Sequence, residues 1–105
     1  MSVGASSAAM NNITTVSLKI TGRVQGVWYR GWTVKTALAL DLVGWVRNRA
    51  DGSVEILMAG SDDKLDEMIV ACHRGPPAAR VDDVIEESAD GQDIPASGFV
   101  QRATV

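Results

Sequence analysis

Two short stretches of this sequence hold residue types that could do chemistry together. The first is Gly22-Arg23-Val24-Gln25-Gly26-Val27-Trp28-Tyr29-Arg30, where two glycines frame a bend that runs straight into a helical pattern. A backbone bent in this way turns successive amide N–H groups inward and adds the N-terminus of a helix. Such a concavity binds phosphate through local dipoles, without net positive charge. Arg30 falls in the first helical turn, where its planar guanidinium can take two phosphate oxygens. No Gly-Lys-Ser/Thr follows the loop, so a nucleoside triphosphate held with magnesium has no support. The second stretch, Gly44-Trp45-Val46-Arg47-Asn48, ends in a carboxamide. Taken singly, neither decides anything. The loop also fits a plain strand-to-helix connection with a surface arginine, and Asn48 also fits a hairpin cap.

The surrounding elements must bring the two together. Thr15 to Thr21 alternates, with Val16, Leu18 and Ile20 on one face and Ser17, Lys19 and Thr21 on the other, which predicts a half-buried strand. From Tyr29 to Leu40 the spacing turns helical, with Val34, Ala37 and Leu38 on one side. Val43 to Asn48 reads as a second strand. A helix joining two strands of one sheet makes them parallel, so the loop after the first and Asn48 at the end of the second lie at the same sheet edge. Asp51-Gly52 signals a hairpin turn, and Ser53 to Met58 alternates again. Ser61 is placed to cap a second helix, with Asp62 and Asp63 in its first turn and an apolar stripe of Leu65, Met68, Ile69 and Cys72. Gly75-Pro76-Pro77 stops it. Arg80 to Glu87 is a weaker strand with a bulge expected at Asp82-Asp83. Ala89 to Ser97 is a polar turn region, and Phe99 to Thr104 reads as the closing strand. The order β-α-β-β-α-β predicts an α+β, ferredoxin-like sandwich: a four-stranded antiparallel sheet with two helices on one face.

The bulk properties narrow the function classes. A chain of 105 residues supports one core. Residues 1–13, small, polar and without periodicity, read as a disordered leader ahead of a domain spanning 14–105. The net charge is −3 and the pI about 4.9, so no global basic field draws nucleic acid or anionic lipid. An anionic ligand must instead be caught by local donors. No apolar run approaches the roughly 18 residues that a membrane span needs. Cys72 is the only cysteine, which leaves no internal disulfide and no cysteine-rich metal cage. These features predict a cytoplasmic monomer with no metal and no cofactor.

In combination the motifs are specific. Gly-x-Val-Gln-Gly-Val-x-Tyr-Arg over residues 22–30, then Gly-Trp-Val-x-Asn ending at Asn48 and Asp-Gly-x-Val-Glu ending at Glu55, resemble the acylphosphatase family, as does the Arg30-to-Asn48 spacing. Residues 75–81 are similar to the family's link into its later strand, and the resemblance spans Val16 to about Phe99. It implies hydrolysis of the carboxyl-phosphate bond of a small-molecule acyl phosphate, giving carboxylate and inorganic phosphate. It places the family's phosphate-binding arginine on Arg30 and its water-orienting asparagine on Asn48. The backbone cradle falls on Val24, Gln25, Gly26 and Val27, with Trp28 leading into the helix. The chemistry is consistent, because a carboxylate leaves readily and needs no strong general acid. Holding the phosphoryl group and placing a water in line are what remains. The sequence departs from the family pattern at Asp41, where the helix commonly ends in glycine, at Arg49, where threonine is frequent, and at Gln101, where an apolar residue commonly alternates with Phe99.

Other candidates have plainer readings. His73 suits the C-terminal dipole of the second helix, Cys72 its core stripe, and Asp62, Asp63, Asp66 and Glu67 its solvated side. Trp45 reads as sheet core, Trp32 as packing or a site flank, and Arg23 as a solvent-facing strand end. The alternative function is a non-catalytic RNA- or protein-binding module of the same topology. Such RNA modules expose paired aromatics and carry basic charge, which this chain lacks. A third possibility is an acylphosphatase-like piece of a larger carbamoyl-transfer protein.

Overall fold

Alternation sets the sheet. A computed structural model describes residues 13–105, so the reading of 1–13 as a disordered leader lies, except at Ile13, outside the described residues. The elements are β1 (Thr14–Arg23), α1 (Tyr29–Ala39), β2 (Val43–Asn48), β3 (Val54–Gly60), α2 (Asp62–Arg74), β4 (Arg80–Glu87) and β5 (Phe99–Gln101). β3 lies between β1 and β2, antiparallel to both, so β1 and β2 run parallel and end at the same edge, as expected. Val16, Leu18 and Ile20 of β1 join Val54, Ile56 and Met58 of β3 and Val46 of β2 in one buried cluster. Tyr29 and Ala37 of α1 and Leu65, Met68 and Cys72 of α2 complete it. Both helices therefore cover the same face. Each large side chain fully buried there contributes on the order of 1.5–3 kcal/mol.

The strand count and the all-antiparallel arrangement expected from sequence need correction. The sheet has five strands in the order β4-β1-β3-β2-β5, and β5 pairs parallel with β2. The reason is the route of the chain after β4. β4 occupies one edge and β5 the other, so the connection between them must cross the sheet. It does so on the side away from the helices, where the Trp45 indole N–H donates to the Asp93 carbonyl at 2.8 Å. Trp45 is indeed buried, but on this second face, against Leu57 and beneath the guanidinium groups of Arg47 and Arg102. β5 is also shorter than expected. Beyond it the Val105 N–H donates to the Asn48 carbonyl and the Ala50 N–H to the Val105 carbonyl, so the chain continues beside β2 without strand geometry.

The bulge expected in β4 is present. The β1–β4 register shifts between Thr21 and Gly22, passing over Asp82. Gly22 is required there, since a Cβ would come within 2.2 Å of the Arg80 carbonyl oxygen. Asp41 adopts the left-handed conformation, φ 57°, that its place after α1 implied. Ser61 holds the N-cap position of α2, but its hydroxyl makes no capping hydrogen bond. At this corner the side chain that reaches across is Asp62, whose Oδ1 accepts from the Thr14 hydroxyl.

Candidate active site

The loop after β1 and the end of β2 meet in one small cleft. Its lining is Val24, Gly26, Trp28, Tyr29, Arg30, Gly31, Asn48 and Gln101, and its volume is about 120 Å³. That is room for a phosphoryl group with a water beside it. A larger groove of about 540 Å³ runs between α1 and α2, but Asp66, Glu67 and Arg74 line it and it includes none of the loop. Two carboxylates against one guanidinium make it a poorer seat for an anion. The small cleft is where the donors are.

The start of α1 explains them. Trp28 sits at the N-cap with φ 68°, and no side chain caps the helix. The first N–H groups of a helix have no partner within it and carry the positive end of its dipole. α1 has no acidic residue in its first turn, and Arg30 adds a cation there, the reverse of what a bare helix start favours. Among the described residues Arg30 joins no ion pair. An anion in the cleft satisfies helix end and guanidinium together. The left-handed Trp28 costs on the order of 1–2 kcal/mol, and such strain persists where the surroundings impose it. Gly26, with φ 75°, gives the loop its second left-handed turn at no such cost. Trp28 is 61% exposed and its indole lies against Gly31, where a Cβ would come within 2.1 Å of Nε1.

Tyr29 pins this helix start. Its ring is buried beside Gly75, and its hydroxyl donates to the Cys72 carbonyl at 2.7 Å. Cys72 lies in the last turn of α2, and the residue four positions on is Pro76, which has no N–H to offer. The Tyr29 hydroxyl takes the place of that missing donor. Burial, reinforced by the neighbouring Cys72, pushes the Tyr29 hydroxyl far above its ordinary range, and burial pushes the Cys72 thiol up to about 12. Both stay protonated, so neither is a nucleophile or a base here.

Asn48 faces the cleft from the other side. Its Oδ1 is buried and accepts no hydrogen bond from any described residue. An unpartnered acceptor costs about 1–3 kcal/mol when shut away, so this oxygen calls for a donor that the described residues do not supply. Of the cradle residues expected from sequence, Val24, Gly26 and Trp28 line the cleft, while Gln25 and Val27 do not. Gln25 turns its side chain toward the β2–β3 hairpin instead. Arg49 is not in the cleft either; its guanidinium lies 4.0 Å from Glu87. Gln101, like Gly31 beside Arg30, is a lining residue that the sequence did not assign to the site. The parallel register pairs it with Val46, on the same face as Asn48 two residues further along. Only the unforeseen β5 pairing brings it there.

The remaining candidates stand apart. Arg23 is exposed and outside the cleft, and His73 is exposed in the last turn of α2. Trp32 packs its ring edge-on to Tyr29 at 5.2 Å. Among the described residues no group of three or more His, Cys, Asp or Glu is placed to hold a metal ion, and no helix is long and apolar enough to cross a membrane.

Comparison with known proteins agrees with this geometry. The family profile of the acylphosphatases matches residues 16–100. An acylphosphatase of Rhodospirillum rubrum is 52% identical over 91 residues, covering 87% of this chain and 98% of its own length. One from Rhizorhabdus wittichii is 53% identical over 88 residues, 84% of this chain and 87% of that protein. The structure of an acylphosphatase from Coxiella burnetii superposes with a TM-score of 0.80 at 34% identity, covering 90% of this chain and 97% of that one. A helix start left open to anions, an arginine beside it and a free carboxamide opposite thus coincide with close kinship along nearly the whole described chain. The chain belongs to the acylphosphatase family, enzymes that hydrolyse acyl phosphates.

Proposed function

We propose that Arg30 and the backbone amides of the loop, those of Val24, Gly26 and Trp28 in the cleft, hold the phosphoryl group of an acyl phosphate while Asn48 orients the attacking water. The buried Oδ1 of Asn48, without a hydrogen-bond partner among the described residues and in the same cleft as Arg30, carries this reading. The water oxygen attacks phosphorus in line as the bond from phosphorus to the acyl oxygen breaks. Asn48 Oδ1 accepts a hydrogen bond from the water and fixes its direction of approach, and the proton the water loses passes to a phosphoryl oxygen as inorganic phosphate forms. Arg30 and the open N–H groups of α1 offset charge on the phosphoryl oxygens. The departing carboxylate has an ordinary pKa near 4 and leaves without a proton. The products are a carboxylate and inorganic phosphate.

The same reading makes the enzyme independent of metal and cofactor, since the cleft supplies its own positive charge. A cytoplasmic monomer acting on a free small molecule fits the net charge of −3 and a cleft of about 120 Å³. The test is hydrolysis of a simple acyl phosphate by the purified protein, before and after exhaustive chelation, with Asn48→Ala alongside. Full activity after chelation and a large loss of kcat in folded Asn48→Ala, with inorganic phosphate still inhibiting, are expected. Activity that needs added magnesium, or an Asn48→Ala enzyme at near wild-type rate, contradicts the reading.

A further inference from the structure

The proposed mechanism needs its two halves held at a fixed separation, yet they belong to segments far apart in the chain. The anion loop follows β1, whereas Asn48 ends β2 and opens the hairpin to β3. One side chain spans them. Gln25 Nε2 donates to the Arg49 carbonyl at 2.8 Å and to the Ser53 carbonyl at 2.8 Å. Both amide hydrogens are thus used, and both partners are acceptors, so the orientation of the carboxamide is dictated by what it meets. Arg49 is the residue after Asn48, and Ser53 is the last residue before β3. The hairpin between them closes on itself. The Arg49 N–H donates to the Ser53 carbonyl, the Gly52 N–H to the Arg49 carbonyl, and Asp51 Oδ1 accepts from both the Ser53 N–H and its hydroxyl. Gln25 therefore grips a preformed turn. Among the described residues no other side-chain hydrogen bond joins this hairpin to residues 22–28.

We propose that the Gln25 side chain is a positioning residue, which clamps the anion loop to the turn beside Asn48 and so sets where the water stands relative to the bound phosphoryl group. This rests on the reading of Asn48 as the water-holding group. The backbone of Gln25 belongs to the loop and its side chain to the hairpin, so the two functions of the residue separate by substitution. Replacing the side chain leaves every loop amide in place; anion capture survives while the water loses its register. A misplacement on the order of 1 Å is enough to cost about 100-fold in rate.

The clamp also leaves both carbonyls a backbone partner if it is removed, because each already accepts from the turn itself. Gln25→Met, similar in length and without donors, is therefore expected to fold. Its kcat on acetyl phosphate should fall at least about tenfold, while the inhibition constant of inorganic phosphate changes less than about threefold. The pair with Asn48→Ala decides the mechanism of the effect. A residue acting through Asn48 adds little once Asn48 is gone, so Gln25→Met/Asn48→Ala should turn over no slower than Asn48→Ala alone. Gln25→Glu gives a second readout. An ionised carboxylate cannot donate to the two carbonyls, but a protonated one restores one hydrogen bond. Its activity relative to wild type should rise as pH falls toward about 4, whereas Gln25→Met shows no such recovery. Asn48→Ala at near wild-type rate would sink the reading of Asn48 itself. A slow Asn48→Ala beside a fast Gln25→Met, or losses that simply multiply in the double variant, would overturn the clamp and leave Asn48 standing. If Gln25→Met fails to fold, the pH profile of Gln25→Glu decides: relative recovery in acid supports the clamp and a flat ratio refutes it.

Discussion

Removing one oxygen atom, in Tyr29→Phe, tests how the helix start that carries Arg30 is held. The ring keeps its buried place beside Gly75, so the apolar contribution is unchanged and only the hydroxyl bond to the Cys72 carbonyl is lost. An average intramolecular hydrogen bond contributes about 0.5–1.5 kcal/mol net, but a buried acceptor left without any donor costs about 1–3 kcal/mol. The second figure applies here, because the helical partner of Cys72 would be the N–H of Pro76, which does not exist. A loss of about 2 kcal/mol in a domain of this size lowers Tm by roughly 8–16 °C. Thermal unfolding followed by circular dichroism, with and without inorganic phosphate, measures it. Because Tyr29 precedes Arg30, the folded variant should also show a raised KM for acyl phosphate. A Tyr29→Phe protein within about 0.5 kcal/mol of wild type would show that the Cys72 carbonyl finds another donor, and that this bond does not anchor α1.

Alkaline pH should destabilise the protein through the same corner. Burial raises the Cys72 thiol to about 12, so below the ordinary cysteine range near 8.5 its contribution is complete, and between there and 12 the unfolded chain ionises first and stability falls; urea midpoints at pH 8 and pH 10.5 should differ, and Cys72→Ala, though it opens a cavity, should show a smaller drop between them. The native thiol should react with an aromatic disulfide reagent only as fast as the protein opens. Gly44→Ala should cost at least about 2 kcal/mol, since the residue sits at φ 153° and its Cβ would come within 1.9 Å of the Leu57 carbonyl oxygen. A chemical denaturation midpoint unchanged by that methyl group would mean that β2 and β3 can separate locally.

The cleft was largely legible in the sequence because its determinants are local. Two glycines, a helical spacing beginning at Tyr29 and an arginine in the first turn allow an anion seat as well as a plain connection, strand direction puts Asn48 at the same sheet edge, and only the two motifs together pointed to the acylphosphatases. What stayed hidden depends on the path of the chain. Nothing in residues 99–101 says that they lie parallel to β2, since that follows from a connection crossing the far face under the Trp45–Asp93 contact. Phe99 onward reads as a strand, but its place in the sheet, and with it the five-strand order and Gln101 in the cleft, was lost for this single reason. Gln25 offered a glutamine in a loop, which reads equally as backbone filler; only the hairpin carbonyls reveal its side chain's task. The Tyr29 bond was partly within reach, because a proline four residues after a helical cysteine leaves a carbonyl without its donor. Ser61 misled by position, with the right residue type and geometry for a cap but no bond made.

The central claim is that Arg30 meets the phosphoryl group with two parallel donors rather than with charge alone. Steady-state hydrolysis of an acyl phosphate by Arg30→Lys tests it most directly, because lysine keeps the charge and removes the planar fork. The expected result is a raised KM and a loss of at least about tenfold in kcat/KM, or roughly 1.4 kcal/mol of transition-state stabilisation, in a protein that unfolds like wild type. A lysine enzyme with unchanged kcat/KM would contradict it, and the phosphate would then have to be held by the loop amides without this side chain.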